Sequence, residues 1–202
     1  MTICLLLTFS ILSTPITVKA NDNSTKHELP TAGFSEFIAT INIDDVKKEI
    51  DITSSKYTTY SIKNHSGLKS YMSYKALTSK SSYQYQLQQK ANTDKNGFRK
   101  VHNRYCVAVG TVFNAQIGQY LDVELENGEI IKCIVGDIKA DKDTDKSNTF
   151  TKNGCCLEFI VDTKHLDKTC KVMGDCSNLY NEWNSPCKEY HIYDINVILG
   201  GD

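Results

Sequence analysis

The sequence predicts a mainly β domain in its C-terminal half, a small barrel rather than an open parallel sheet, and three observations carry that reading. Short apolar runs recur between glycines from Tyr105 onward, and Leu121, Val123 and Leu125 alternate with Asp122 and Glu124. Asn127-Gly128 then marks a tight hairpin turn of type I′, in which both central residues need positive φ. Several short strands, one helix and glycine-rich crossings fit a small barrel better than a doubly wound sheet.

Residues 1–20 open with an apolar run, Ile3 to Phe9 with Ile11 and Leu12, and end in Val18-Lys19-Ala20, the small-residue pattern of a secretory cleavage site. The run is broken by Ser10, Ser13, Thr14 and Pro15 and is too short for a membrane span. Met1-Thr2-Ile3 departs from a signal peptide in lacking a basic residue, and the rival reading is a buried N-terminal strand or helix. The expected mature protein is secreted or cell-wall associated, with no membrane attachment once the signal is removed.

Residues 21–66 read as a polar, variable spacer. Its apolar stretch, Phe34 to Ile52, places Phe34, Ile38 and Ile41 at helical intervals before drifting toward alternation, so the extension is partly helical. Residues 67–103 carry Tyr71, Met72, Tyr74, Tyr83 and Tyr85 close together, which suits a segment packed on the domain as a lid. A sugar-stacking surface is the alternative.

The barrel domain is expected over residues 104–202. Tyr105 to Gly110 is an apolar strand, Glu129 to Val135 returns from the hairpin to Gly136-Asp137, and Asp141 to Gly154 is a charged loop. Leu157 to Asp162 is a further strand, Lys164 to Met173 a short helix and Glu189 to Tyr193 the closing strand.

Lys and Arg total 23 against 24 Asp and Glu, a net charge of −1, so no global field draws the chain to nucleic acid or anionic lipid. Of eight cysteines, Cys4 would leave with the signal, and the remaining seven cannot all pair within one chain. An oxidising compartment implies one to three disulfides and a leftover thiol, with Cys170, Cys176 and Cys187 in the loop-rich tail as participants. Cys106 and Cys133 lie in strand-like runs, where cysteine usually serves as a small buried hydrophobe. A nucleophilic cysteine would need a base such as His102, His165 or His191, and no local motif supports one. No C-x-x-C pair suggests zinc.

Carboxylates cluster at strand ends: Asp137, then Asp141, Asp143 and Asp145, then Glu158 and Asp162. Partial burial there raises a pKa while the open turn admits substrate, which suits acid or base work. The Asp141 to Asp145 spacing matches the first positions of a calcium loop, but Lys146 replaces the turn glycine and Lys152 the bidentate glutamate, so a solvated loop is the better reading. Neither metal nor cofactor is expected.

Four segments together resemble the double-psi β-barrel of the "3D" domain, shared with membrane-bound lytic transglycosylase A, rare lipoprotein A and expansins. They are Tyr105 to Gly110, Ile117-Gly118-Gln119-Tyr120-Leu121-Asp122-Val123, Gly136-Asp137-Ile138-Lys139-Ala140 and Leu157 to Val161. The Lys69 to Ala76 block and the Trp183-Asn184-Ser185-Pro186 turn are also similar to exported clostridial proteins carrying this barrel. The resemblance implies a six-stranded double-psi barrel with one or two short helices and, matched residue by residue, a pair of carboxylates. Asp137 takes the first position of the family's D-x-G-G-A segment and Glu158 that of the lone acid/base. Lys139 and Ala140 replace the two glycines, Glu replaces Asp, and the connecting loop is longer.

In function, the resemblance implies a peptidoglycan-directed lytic transglycosylase. Glu158 would protonate the glycosidic oxygen and then, ionised, help the sugar's own 6-hydroxyl attack the anomeric carbon, with Asp137 orienting and Lys139 and Asp162 holding substrate. One carboxyl suffices, unlike the pair of ordinary glycosidases. The rivals are a non-catalytic wall-binding or wall-loosening module of expansin type, and a calcium-ordered structural domain. The same carboxylates could instead bond orphan amides at the barrel rim. N-terminal sequencing of secreted protein should begin at Asn21, and intact Met1 recovered from the cytosol would rule out the signal.

Overall fold

The chain divides into Met1–Thr40 and a unit from Ile41 to Asp202. The computed structural model describes residues 43–198, all in the second unit, so the signal segment and residues 21–42 of the spacer lie outside the described residues. In order, the elements are α1 (Ile43–Thr53), β1 (Tyr57–Ser61), β2 (Lys69–Ser73), α2 (Tyr83–Lys90), β3 (Asn92–Thr93) and β4 (Arg99–Val101). They continue with β5 (Arg104–Val109), β6 (Gln119–Leu125), β7 (Ile130–Ile138), β8 (Leu157–Val161), α3 (Lys168–Met173) and β9 (Cys187–Asn196). The domain is mainly β with few short helices, as the strand patterns predict.

The nine strands form one mixed sheet along the path β1-β9-β6-β7-β5-β4-β3, with β8 paired to β5 and β2 paired to β8. Hydrogen bonding does not close this path. Two pairs are parallel, β5 with β7 and β2 with β8, and the rest are antiparallel. The strand count exceeds the six expected because segments read as spacer and lid join the sheet. β1 pairs with β9 from Tyr57↔Tyr193 to Ser61↔Glu189, and β2 pairs with β8 from Lys69↔Leu157 to Ser73↔Val161. Neither strand shows apolar alternation, because β1 is mostly exposed and β2 half-buried, so their pairing depends on distant partners rather than on a local pattern.

Both faces of the sheet are covered. Val107, Leu121, Val123, Leu157, Phe159 and Val161 enter one apolar cluster, while Cys106, Tyr120, Ile134 and Ile160 join Ile52 and Leu87 in the other. Successive side chains of a strand point to opposite faces. Strands buried on both sides therefore read as near-continuous apolar runs, as Tyr105 to Gly110 does. In the first cluster the Phe159 and Trp183 rings stack at 5.2 Å, and Phe98 meets Phe159 edge-on at 4.9 Å. Such aromatic pairs contribute roughly 0.5–1.5 kcal/mol each beyond burial.

Local details correct one turn type and two boundaries. The hairpin joining β6 and β7 is not type I′: Gly128 has φ +85° while Asn127 stays out of the left-handed region, and Gly128 N donates to Leu125 O at 2.9 Å. This is a three-residue loop with a type I turn followed by a left-handed glycine. Asn127 is instead tied outward, its Nδ2 donating to Glu182 O at 2.8 Å. Helix α3 starts at Lys168 rather than Lys164, because Asp167 caps it by accepting from Thr169 N and Cys170 N. The closing strand runs the ten residues of β9 rather than five, its flanks paired to β1 and β6.

A buried charge network ties α1 to the sheet. Arg104 is 1% exposed, and its Nη1 donates to Asp122 Oδ1 at 2.6 Å while its Nη2 donates to Glu49 Oε1 at 2.7 Å. Tyr193 Oη donates to Asp122 Oδ2 at 2.9 Å, and Lys132 Nζ lies 2.7 Å from Glu49 Oε1. Burial alone would raise the Glu49 carboxyl, but hydrogen bonds from Arg104 and Lys132 outweigh it and hold the group below its ordinary 4.5.

Breaking a buried pair strands its partner's charge, so Arg104→Met should lower stability by about 3–5 kcal/mol in urea unfolding. Because the folded Glu49 value is depressed, its contribution is present above 4.5 and lost as pH falls through the lower folded value. Glu49→Gln should flatten that part of the stability profile, and an unchanged profile would show that the network is electrostatically inert.

Candidate functional site

β5 gathers the site by pairing on both edges. Ala108 stands opposite Asp137 of β7 on one side and opposite Glu158 of β8 on the other. The register slips between Val107, which faces Val135, and Ala108, which faces Asp137, so Gly136 is the extra residue of a bulge. That bulge brings Asp137 level with Glu158. One residue past β7, Lys139 N donates to Val109 O at 2.9 Å, and its ammonium forms an ion pair with Glu158 Oε2. Both side chains of that pair are largely buried, at 13% and 12% exposure.

Three of the four sequence-predicted site residues, Asp137, Lys139 and Glu158, thus lie together. Asp162 does not join them. It follows the far end of β8, about 13 Å along the strand at roughly 3.3 Å per residue. There it accepts from His165 Nδ1 at 2.7 Å and from Lys164 N at 3.0 Å, capping the turn into α3. The His165 bond holds its carboxyl below the ordinary range.

The two convergent carboxylates differ in surroundings. Glu158 has a cation at hand in Lys139. Asp137 accepts a long contact from Gln84 Nε2 of α2, at 3.5 Å to Oδ1, and the Ile138 amide and the Lys139 charge also favour its ionised form. Burial pushes the Asp137 carboxyl above its ordinary 3.8, with Glu158 adding like-charge repulsion. No sequence motif marks Gln84; the available signal is Ser82, which caps α2 by accepting from Tyr85 N.

The charged loop lies over the end of β5. A Cβ on Gly110 would come within 2.0 Å of Asn148 O, so only glycine admits this approach. The cavity beside Glu158, bordered by Lys139, Phe150, Cys156 and Tyr190, measures about 10 Å³, room for about one water. Asp141 accepts from Thr111 Oγ1 at 2.6 Å, while Asp145 Oδ1 accepts from Thr149 N at 2.9 Å and Phe150 N at 3.1 Å. Asp145 therefore caps its own turn, and Asp141 ties the loop to the segment after β5. Among the described residues, the one group of three side chains suited to a metal is Glu124, Glu189 and His191 on β6 and β9, where Lys188 Nζ already lies 2.6 Å from Glu124 Oε1.

Two further features lie apart from the carboxylates. A cleft of about 260 Å³ is lined by Tyr105, Tyr180 and Trp183 with Asn103, Glu129, Lys132 and Glu182. The seven cysteines from Cys106 to Cys187 are all buried thiols. Burial raises Cys106 to about 12, as suits packing. The histidines weighed as bases are engaged with other groups, His102 with Tyr120 at 2.8 Å, His165 with Asp162 and His191 with Glu124. No helix among the described residues is long and apolar enough to cross a membrane.

Comparison with known proteins found no matching family model, no similar curated protein and no similar solved structure.

With its folded value raised, Asp137 favours the fold when protonated, so the contribution is present below 3.8 and lost as pH rises through the folded value. Asp137→Asn should therefore raise the melting temperature at neutral pH, with the gain vanishing below pH 3.8. A gain independent of pH would mean the carboxyl is not desolvated.

Proposed function

We propose that the chain is an exported, peptidoglycan-directed lytic transglycosylase-like protein of the double-psi barrel type, and that Asp137 rather than Glu158 is its acid/base. One observation carries this assignment of roles: two strand-end carboxylates flank Ala108, and Lys139 pairs with one while burial raises the other. The segments that carry the resemblance fall on β5, the Gly118 turn with β6, the end of β7 and β8, in the expected order.

A general acid must hold its proton until the bond breaks, and an unpaired, desolvated carboxyl does so better than one beside an ammonium. Protonated Asp137 gives its proton to the glycosidic oxygen as the bond to the anomeric carbon breaks. The resulting carboxylate takes the proton of the sugar's 6-hydroxyl, whose oxygen closes onto that carbon. The Lys139–Glu158 pair then orients substrate.

The second reading, a non-catalytic wall-binding or wall-loosening module, draws on two observations. The cavity at Glu158 is too small for a sugar ring, and the wider cleft sets the half-buried rings of Tyr105 and Tyr180 beside polar groups, as sugar-binding surfaces do.

Incubation with purified sacculi, followed by mass analysis of released muropeptides, separates the two. Asp137→Asn should lower anhydro-muropeptide release by at least about a hundredfold, the usual worth of a positioned general acid, with a smaller loss in Glu158→Gln. The wild-type profile should favour acidic pH. Wild-type protein that binds sacculi but releases no anhydro product at any pH establishes the binding module instead.

A further inference from the structure

Cys156, which immediately precedes β8, and Cys187, which opens β9, meet in the first apolar cluster although 31 positions separate them in sequence. The Cys187 thiol donates to the Cys156 sulfur at 2.8 Å. A shift of under about 1 Å would bring the sulfurs to bonding distance, near 2.05 Å. Surrounding contacts fix both backbones: His65 Nε2 bonds Cys187 O at 2.8 Å, Tyr190 Oη bonds Cys156 O, and Cys156 N donates to Leu68 O at 2.9 Å.

The other cysteines are less suitably placed as partners for this pair. Cys106 and Cys133 lie on opposite faces of the sheet, in different clusters, so they cannot bond each other. The Cys155 thiol is directed at Leu157 O at 2.9 Å and its sulfur accepts from Ser70 N at 3.1 Å. Cys170 and Cys176 share the first cluster, 14 and 20 positions beyond Cys156 in the chain.

We propose that Cys156 and Cys187 form a disulfide in the exported protein, leaving Cys106, Cys133 and Cys155 as thiols. The pairing deepens the reading of export, since an oxidising compartment is what keeps such bonds. Chemically, the Cys156 thiolate attacks a donor disulfide, either a small-molecule disulfide or that of an oxidoreductase, forming a mixed disulfide and expelling one donor thiolate. Cys187, deprotonated, then attacks the Cys156 sulfur and expels the second. The two cysteines lose two electrons, the donor gains them, and the two thiol protons pass to the donor sulfurs.

In the folded chain the Cys187 hydrogen bond, then the His65 hydrogen bond and the Lys69 charge, hold the Cys156 thiol below the ordinary thiol range. Both sulfurs are buried in the folded chain, so the exchange belongs to folding, before β8 and β9 close over them. The bond staples the end of the charged loop, two residues before Glu158, to β9. It also closes a segment that contains Tyr180 and Trp183, part of the aromatic cleft.

The test is mass mapping of the full chain, expressed for export, alkylated under denaturing conditions without reductant and digested. Cys156 and Cys187 peptides should be found joined, two hydrogens lighter than their sum, with Cys106, Cys133 and Cys155 alkylated. Either cysteine joined to another partner overturns the pairing. A second arm refolds reduced protein in oxidised and reduced glutathione. Joined peptides there, with reduced cysteines in the native cell fraction, would refute export but leave the pairing standing; absence in both arms refutes the pairing. The melting temperature of the oxidised protein should drop by several degrees on reduction.

Discussion

Strand β5 is the constraint on which the rest of the molecule depends. One edge bonds β7 in parallel along its length; the other is shared, with Arg104 and Tyr105 facing β4 and Val107 and Ala108 facing β8. A strand so occupied cannot slip, because a one-residue shift would turn Cys106 and Val107 into each other's clusters. The apolar faces of β7 and β8 are set by the same register. Both candidate carboxylates are placed by it too, because each is opposite Ala108.

Around that strand, charge is buried where it can be compensated. Arg104 sits at the start of β5 and draws Glu49 from α1 and Asp122 from β6 onto one guanidinium. Its planar fork bonds two carboxylates and the Cys133 carbonyl at once, which a lysine could not match. Lys69 at the start of β2 is fully buried and donates to Ser185 O at 2.7 Å, anchoring the turn before β9. Polar groups thus hold the strands outside the expected six, where apolar surface is scarce.

At the candidate site the same compensation sets two carboxylates apart. Glu158 is paired with Lys139, whereas at Asp137 burial outweighs the Gln84 contact, the Ile138 amide and the Lys139 charge. Lys139 therefore gives one of the two carboxylates a counterion, while burial prevails at the other. The charged loop crowds the same end of β5, and Cys156 ties the loop's exit to β9.

By itself, the sequence determined the mainly β character and the strands at β5 to β8, because alternation is a local signal; it offered Asp137, Lys139 and Glu158 together only through a family resemblance, and the register of β5 with its bulge at Gly136 is what places them side by side. It also marked Cys106 and Cys133 as core. The tertiary structure alone decided that residues 57–61 and 69–73 are strands, since their pairing partners lie more than 80 residues away. It decided as well that Asp162 caps a turn instead of joining the site, because the bulge at Gly136 re-aims Asp137 toward Glu158 while nothing turns Asp162 back along β8. The hairpin type was missed for a related reason: Asn127 is drawn outward by Glu182 across the molecule, a contact that the dipeptide could not reveal.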